Sequence, residues 1–296
     1  MARVRKAVFP VAGMGTRFLP ATKASPKEML PIIDKPLIQY AAEEAVSAGI
    51  DTLIFITGRH KRSIEDHFDK AYELESELEA QQKFDLLELV QNVIPAHVNC
   101  IYIRQSEPLG LGHAVLCAEQ VVNKEPFAVL LADDLFHYSK SVGLAQMVNI
   151  HDEHHCSVVG VQEVKKEEVS RYGVISGATV GKGLWQVNEF VEKPAPENAP
   201  SNIVIAGRYI LESSIFKRLR KIQAGADGEI QLTDALSAMV RSDKVLAYQI
   251  EGKRFDCGSK LGYLQATVEM ALEHPLIGNE FREYLARYVA LQQKNS

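Results

Sequence analysis

The sequence predicts an α/β protein with a mixed, mostly parallel sheet flanked by helices. Two observations carry this. Apolar runs of strand length alternate with segments of helical periodicity through the first half of the chain. Those runs are apolar nearly throughout, as strands covered on both faces require. Residues 7–12 (AVFPVA) form the first predicted strand, which ends at Gly13. Residues 37–48 have helical spacing, and Gly49 suits a C-terminal cap. Residues 51–57 (DTLIFIT) are the second strand. Ile64, Phe68, Ala71, Leu74 and Leu78 recur at helical spacing and predict helix over 63–93. A strand over 98–104, a short helix over 112–121 and a strand over 127–131, running out at Asp133-Asp134, complete the alternation.

The second half changes character. Strands are expected over 157–164, 173–176, 185–191 and 203–210, joined by polar turns such as Gly181-Lys182-Gly183 and a proline-rich loop over 194–200. A helix over 230–240, a strand over 245–250 and helix from 261 to the end follow. No internal repeat or low-complexity linker interrupts the chain. Its 296 residues therefore read as one continuous domain, with halves over about 1–135 and 136–260 and C-terminal helices over 261–296.

Composition narrows the function. With 46% apolar and 24% charged residues, the chain is of soluble globular type. A formal charge of -5 argues against a nucleic-acid binder or a membrane-surface protein. No apolar run approaches the ~20 residues of a membrane span. The basic start at Arg3, Arg5 and Lys6 does not introduce a signal peptide, because Gly13, Gly15 and Arg17 interrupt the apolar stretch behind it. Cys100, Cys117, Cys156 and Cys257 form no CxxC pair and fit a reducing cytoplasm. An acidic chain that handles polyphosphates must gather its cations locally.

Such a gathering follows the first strand. In the stretch AGMGTRFLP from Ala12, glycines directly after a strand let backbone N–H groups approach an anion. No Gly-Lys-Ser/Thr follows, so this is not a Walker A loop. Phe18 replaces the third glycine of a dinucleotide fingerprint and Pro20 would disturb its helix, which disfavours a nicotinamide enzyme. Glycines alone would fit an ordinary tight turn. However, Arg17, Lys23, Lys27 and Lys35 come in close succession, braced by Pro20, Pro26, Pro31 and Pro36. A stiff loop carrying spaced cations suits a flexible triphosphate: arginine grips phosphate bidentately, and lysine acts as a point charge.

These segments, GMGTRFLP, PKEMLPI and DKPLI, resemble the signature loop of the sugar-phosphate nucleotidyltransferases. PATK and KEMLP are most similar to the bacterial UTP–glucose-1-phosphate uridylyltransferases, and the resemblance runs over nearly the whole chain. It implies a Rossmann-like nucleotidyltransferase fold of GT-A-like type, with a nucleotide-binding first half and a sugar-binding second half. It implies transfer of uridylyl from UTP to glucose 1-phosphate, giving UDP-glucose and pyrophosphate with Mg2+, in a homodimer or homotetramer. The alternatives are a thymidylyltransferase for the same sugar phosphate and a non-catalytic paralogue that binds nucleotide sugars. The presence of Arg17, Lys27, Asp133, Lys193 and Asp256 argues against the latter.

Residue by residue, the resemblance implies the following roles. Ala12, Gly13 and Gly15 cradle the nucleotide, and Arg17 and Lys27 stabilise the pyrophosphate side. Gln105 and Gly110, in QSEPLGLGHA, contact the base; an amide both donates and accepts, so it can flip between uracil and cytosine edges. Backbone groups around Ala12, Gly13 and Gly110 are therefore expected to supply the base selectivity. Asp133, at the end of an apolar strand, and Asp256, in FDCGS, serve magnesium, which favours hard oxygen donors. Asp134 departs from the most frequent residue at its position and is expected to support the ligand instead of binding the metal. In the EKP block, Glu192 accepts from sugar hydroxyls and Lys193 holds the sugar's phosphate; Gly173 and Gly207 lie on the sugar side.

Two further features are set aside. His151, Asp152, Glu153, His154, His155 and Cys156 only partly match metal spacing and read as a polar helix end. The charge run over 73–82 reads as a solvated helix face, whose apolar stripe could instead pack on another subunit. No nucleophile–base motif is convincing, and the reaction needs none: a phosphate monoester is largely dianionic near neutral pH.

Overall fold

The computed structural model describes residues 3–138, 143–225 and 228–294. Its first strand, β1 (Lys6–Pro10), buries Ala7, Val8 and Phe9 completely, so both faces are covered. Three 3-10 turns (Thr16–Phe18, Ala21–Lys23 and Lys27–Met29) follow. A small antiparallel ribbon of β2 (Pro31–Ile32) and β3 (Lys35–Pro36) closes this segment. β4 (Thr52–Thr57), β5 (Asn99–Arg104) and β6 (Phe127–Leu130) join β1 in parallel register. β7 (Asp134–His137) leaves this sheet. β8 (Ser157–Glu163), β9 (Gly173–Gly181), β10 (Leu184–Glu192), β11 (Ile203–Leu211) and β12 (Val245–Gln249) complete a nine-stranded sheet. Its order is β5-β4-β1-β6-β11-β8-β12-β10-β9. β8 and β12 are parallel, and the other pairs of the second half are antiparallel, as is the seam where β11 meets β6. β13 (Lys253–Asp256) pairs with β7 in a separate ribbon.

The side-chain alternation of each strand feeds two cores. Ala7, Phe9, Leu53 and Phe55 point to one face, where α1 (Leu37–Ser47) packs through Ile38, Ala41, Ala42 and Ala45. Ile64 of α2 (Arg62–Phe68) joins this core. α3 (Tyr72–Ala80) and α4 (Phe84–Gln91) lie farther along the chain. Val8, Ile54, Ile56 and Val129 point to the other face, covered by Ala114 and Val115 of α5 (Leu111–Cys117) and Val122 of α6 (Glu119–Val122). α7 (Gly143–His154) adds Leu144 and Met147 to the first core. α8 (Ser214–Leu219) and α9 (Leu232–Met239) pack on the second through Phe216 and Leu236. Full burial of each such Val, Leu, Ile, Phe or Met side chain contributes about 1.5–3 kcal/mol.

The helix expected over 63–93 is instead three helices, α2 to α4. Asp69 turns to extended backbone after α2. Gln82 takes φ 57, and the Lys83 N–H donates to the Leu78 carbonyl, which closes α3 with a left-handed cap. Leu74 is consequently half exposed and lies off the buried stripe. The expected helix over 112–121 is likewise divided between α5 and α6. The strand expected over 173–176 extends to Gly181 because β10 pairs with it throughout. β7, β13 and α8 had no counterpart in the sequence reading. The final helical region comprises α10 (Lys260–Glu273) and α11 (Gly278–Lys294); residues 295–296 lie outside the described residues.

Candidate active site

The loop after β1 starts where the Val11 N–H donates to Ile56 at the end of β4. Gly15 adopts φ 66, and the Thr22 hydroxyl donates to its carbonyl at 2.7 Å. This glycine is required by the turn itself. Gly13 differs: a Cβ there would meet nothing within 4 Å. Its backbone borders a cavity of about 680 Å³ shared with Ala12, Lys23, Arg59, Lys61 and Gln105. A buried ion pair, Lys61 Nζ to Glu28 Oε2 at 2.7 Å, joins the loop to the residue before α2. Burial pushes the Glu28 carboxyl up, and Lys61 and Lys27 only partly offset it. Neither Glu28 nor Lys61 was singled out by sequence, since only the fold reveals their pairing.

Asp133 and Asp256 meet because β7 and β13 pair, with Asp134 opposite Asp256 and the Cys257 N–H donating to the Asp133 carbonyl at 2.8 Å. Gly258 lies between the two carboxylates: a Cβ there would stand 2.9 Å from Asp133 Oδ2, 3.0 Å from Asp256 Oδ1 and 3.5 Å from the Arg17 guanidinium. Arg17 also approaches the Gly258 carbonyl, at 3.5 Å. Arg17, Asp133 and Asp256 thus converge on one point. Lys27 Nζ lies 2.5 Å from Asp133 Oδ2. Burial alone would depress the Lys27 ammonium, but Asp133 outweighs it and holds the group above the ordinary lysine range. Burial works against the Asp133 carboxylate, and Lys27 overrides it to hold that group low.

Asp256 is bound by Arg171 and lies 3.3 Å from the Tyr172 hydroxyl. Arg171 was not recognised from sequence; nothing local distinguishes it from a surface arginine. A groove of about 840 Å³ approaches Asp256 past Arg171 and Tyr172. Asp134 is buried and accepts from Arg254 Nε at 2.6 Å. Burial pushes its carboxyl up, opposed by Arg254, so adjacent Asp133 and Asp134 are displaced in opposite directions. Gly207, at φ 68, leaves the space that the Asp134 carboxylate fills.

On the second half, Gly173 and Glu192 are register partners of β9 and β10. Glu192 Oε2 accepts from the buried Thr233 hydroxyl at 2.7 Å, and Glu192 Oε1 lies 3.2 Å from Lys193 Nζ. Lys193 has the left-handed φ of 43, a strained choice for a non-glycine residue, and its N–H donates to the Tyr172 carbonyl at 3.0 Å. Tyr172 therefore links Lys193 to Asp256. Thr233 was missed because its role depends on where α9 docks.

Gln105 follows β5 and is buried, its N–H donating to the Thr57 carbonyl. Its Nε2 lies 3.2 Å from the Gly110 carbonyl and 2.9 Å from His113 Nδ1. The expectation of an amide free to flip is therefore corrected: a flip would bring two acceptor oxygens together at Gly110. In the histidine-rich segment, His151 is buried with Nε2 2.7 Å from Glu212 and Nδ1 3.3 Å from Asp152, so its ring is spent within the protein.

A loop of backbone and cations after a parallel strand, facing paired carboxylates at strand ends, defines a phosphate-handling transferase of the α/β class. The family model for nucleotidyl transferases matches residues 6–273, and the chain belongs to that family. It is 51% identical over 292 residues to a Bacillus subtilis UTP–glucose-1-phosphate uridylyltransferase, covering 99% of this chain and 98% of the relative. Among solved structures, a UDP-glucose pyrophosphorylase complexed with UDP-glucose has TM-score 0.85 at 46% identity, covering 92% of this chain and all of that one. A UTP-bound UGPase from Acinetobacter baumannii has TM-score 0.89 at 43% identity, covering 96% and 99%.

Proposed function

We propose that the protein transfers the uridylyl group of UTP to glucose 1-phosphate, forming UDP-glucose and releasing pyrophosphate. The convergence of Arg17, Asp133 and Asp256 on Gly258 is the observation that carries this reading. The full-length similarity to a uridylyltransferase and to UTP- and UDP-glucose-bound structures supports the choice of substrates.

A phosphate oxygen of glucose 1-phosphate attacks the α-phosphorus of UTP in line. The new P–O bond forms as the bond to pyrophosphate breaks, with no covalent protein intermediate. The attacking group is already an anion, so no general base is needed. Charge repulsion and charge build-up on the leaving group are the barriers, and positioning with electrostatic stabilisation lowers them. Arg17 and Lys27 bind the departing pyrophosphate, and Lys193 holds the attacking phosphate. Glu192, positioned by Thr233, accepts from sugar hydroxyls, with Gly173 giving close backbone approach. Gly207 serves the sugar side through Asp134, whose carboxylate it accommodates. Asp133 and Asp256 supply a hard-oxygen pair facing one point, a donor set suited to Mg2+ completed by phosphate oxygens. Magnesium bound there would supply charge neutralisation for the phosphates. Lys27 and Arg171, which pair with these carboxylates, are the cations nearest to where phosphate would lie.

Among the described residues no helix is long and apolar enough to cross a membrane, and all four cysteines are free, which suits a cytoplasmic setting. The sheet common to both halves supports a single domain. A homodimer or homotetramer accounts for the exposed Tyr284, Tyr288 and Leu291 of α11. The test is pyrophosphate release measured over a matrix of nucleotides and sugar phosphates. UTP with glucose 1-phosphate is expected to give the highest kcat/KM, above galactose 1-phosphate and above CTP. A maximum with dTTP, or binding of UDP-glucose without turnover, would replace this reading.

A further inference from the structure

The Gln105 amide is held at both hydrogens of its nitrogen. One points to the Gly110 carbonyl at 3.2 Å and the other to His113 Nδ1 at 2.9 Å. The Gly110 carbonyl is itself fixed: it also accepts from the Ala114 N–H as α5 begins, while the neighbouring Leu109 carbonyl accepts from Ile230. A backbone carbonyl cannot donate, so the group facing it must be the amide nitrogen. His113 must then present a lone pair at Nδ1 and carry its proton at Nε2. Gln105 Oε1 accepts from no group among the described residues. No described side-chain oxygen is both sealed from solvent and unpaired, and Gln105 borders the cavity beside Gly13, so this oxygen remains open.

We propose that His113 is a positioning residue that, with the Gly110 carbonyl, locks the Gln105 amide as a one-way acceptor and thereby makes the site select uracil over cytosine. This rests on the cavity being the nucleotide site of the proposed transferase. Uracil offers N3–H as a donor to Gln105 Oε1. Cytosine offers a lone pair at the same atom, and two acceptors then face each other. Turning the amide to suit cytosine would set two oxygens together at Gly110 and require His113 to move its proton from Nε2 to Nδ1. Thymine has the same edge as uracil, so this lock does not separate UTP from dTTP. The residue that reads the base and the residue that fixes its reading direction are eight positions apart, one before α5 and one within it.

The test is titration of UTP and CTP, each with magnesium and without sugar phosphate, on the parent, His113→Leu and His113→Asn. Leucine removes the acceptor at Nδ1; asparagine can place its side-chain oxygen there. The UTP-to-CTP affinity ratio is expected to fall about tenfold in His113→Leu, the scale of one lost hydrogen bond, and to stay within about twofold of the parent in His113→Asn. Equal weakening of both nucleotides by leucine, leaving the ratio unchanged, would mean a purely structural histidine and would overturn the proposal. The parent supplies a second readout that survives misfolding of either variant. Nitrogen NMR should detect a coupling across the hydrogen bond between Gln105 Nε2 and His113 Nδ1; its absence overturns the lock. Failure of the transferase reading is distinguishable: the parent would then bind neither nucleotide and release no pyrophosphate, whereas intact turnover with an unchanged ratio rejects only the role of His113.

Discussion

Between Ala12 and Ile32 the chain builds its cation-bearing loop from consecutive residues, whereas Asp133, just before β7, and Asp256, at the end of β13, come from segments far apart in sequence. The loop is held by local contacts, such as the Thr22 hydroxyl on the Gly15 carbonyl. The carboxylates meet only because β7 and β13 pair outside the main sheet, with Leu135 and Phe255 opposite each other and both buried. Cations can thus be concentrated by local sequence in an acidic protein, while a pair of like charges needs tertiary structure to be brought close and countered. Lys27 and Arg171 provide that counter-charge.

Breaking the long-range element should have the largest effect. Asp256→Asn is expected to lower magnesium-dependent turnover by on the order of 10²–10³-fold while the fold is retained, read by steady-state kinetics and circular dichroism. Unchanged metal dependence would remove Asp256 from the site. Breaking the local element comes next. Arg17→Ala should reduce kcat about a hundredfold, the loss of one charge-assisted contact in the transition state. UDP-glucose binding should survive in part, because the product lacks the pyrophosphate end that Arg17 is proposed to bind. Turnover within twofold of the parent would contradict that assignment.

A smaller effect is expected on the sugar side. Thr233→Val removes the donor at 2.7 Å from Glu192 and should lower kcat/KM for glucose 1-phosphate about tenfold, with UTP affinity unchanged. A proportional loss of UTP binding would place Thr233 in general packing. The smallest effect lies away from the site. Burial disfavours a charged His151, but its bond to Glu212 outweighs this and raises the ring above the usual histidine value of 6.5. A raised group stabilises the fold fully below its unfolded value and loses that contribution as pH rises through the folded one. The stability gap between the parent and His151→Phe should therefore narrow as pH rises from about 6 through the raised histidine range in denaturant titrations. A gap that is constant or widens would contradict the charged pair.

The same contrast explains what could be read from sequence. The main strands were legible because their apolar runs are long enough to mark a sheet covered on both faces. Arg17 and Lys27 were legible as a local charge pattern within a proline-braced loop. β7 (DLFH) and β13 (KRFD) were not, since four residues give too little periodicity to distinguish a strand from a turn. The helix read over 63–93 failed because a left-handed cap at Gln82 leaves no glycine to announce it. The direction of the Gln105 amide was equally hidden: it depends on the carbonyl of Gly110 and on which face of α5 carries His113.

The proposed chemistry requires Asp133 and Asp256 to act as one unit. A double-mutant cycle tests this directly, with Asp133→Asn, Asp256→Asn and the pair compared with the parent for magnesium-coupled UTP binding by calorimetry. Removing either carboxylate should already abolish most of the coupling, so the double variant is expected to lose little more than the worse single variant. Two losses that simply add would mean that the carboxylates act independently, and would contradict a shared site at Gly258.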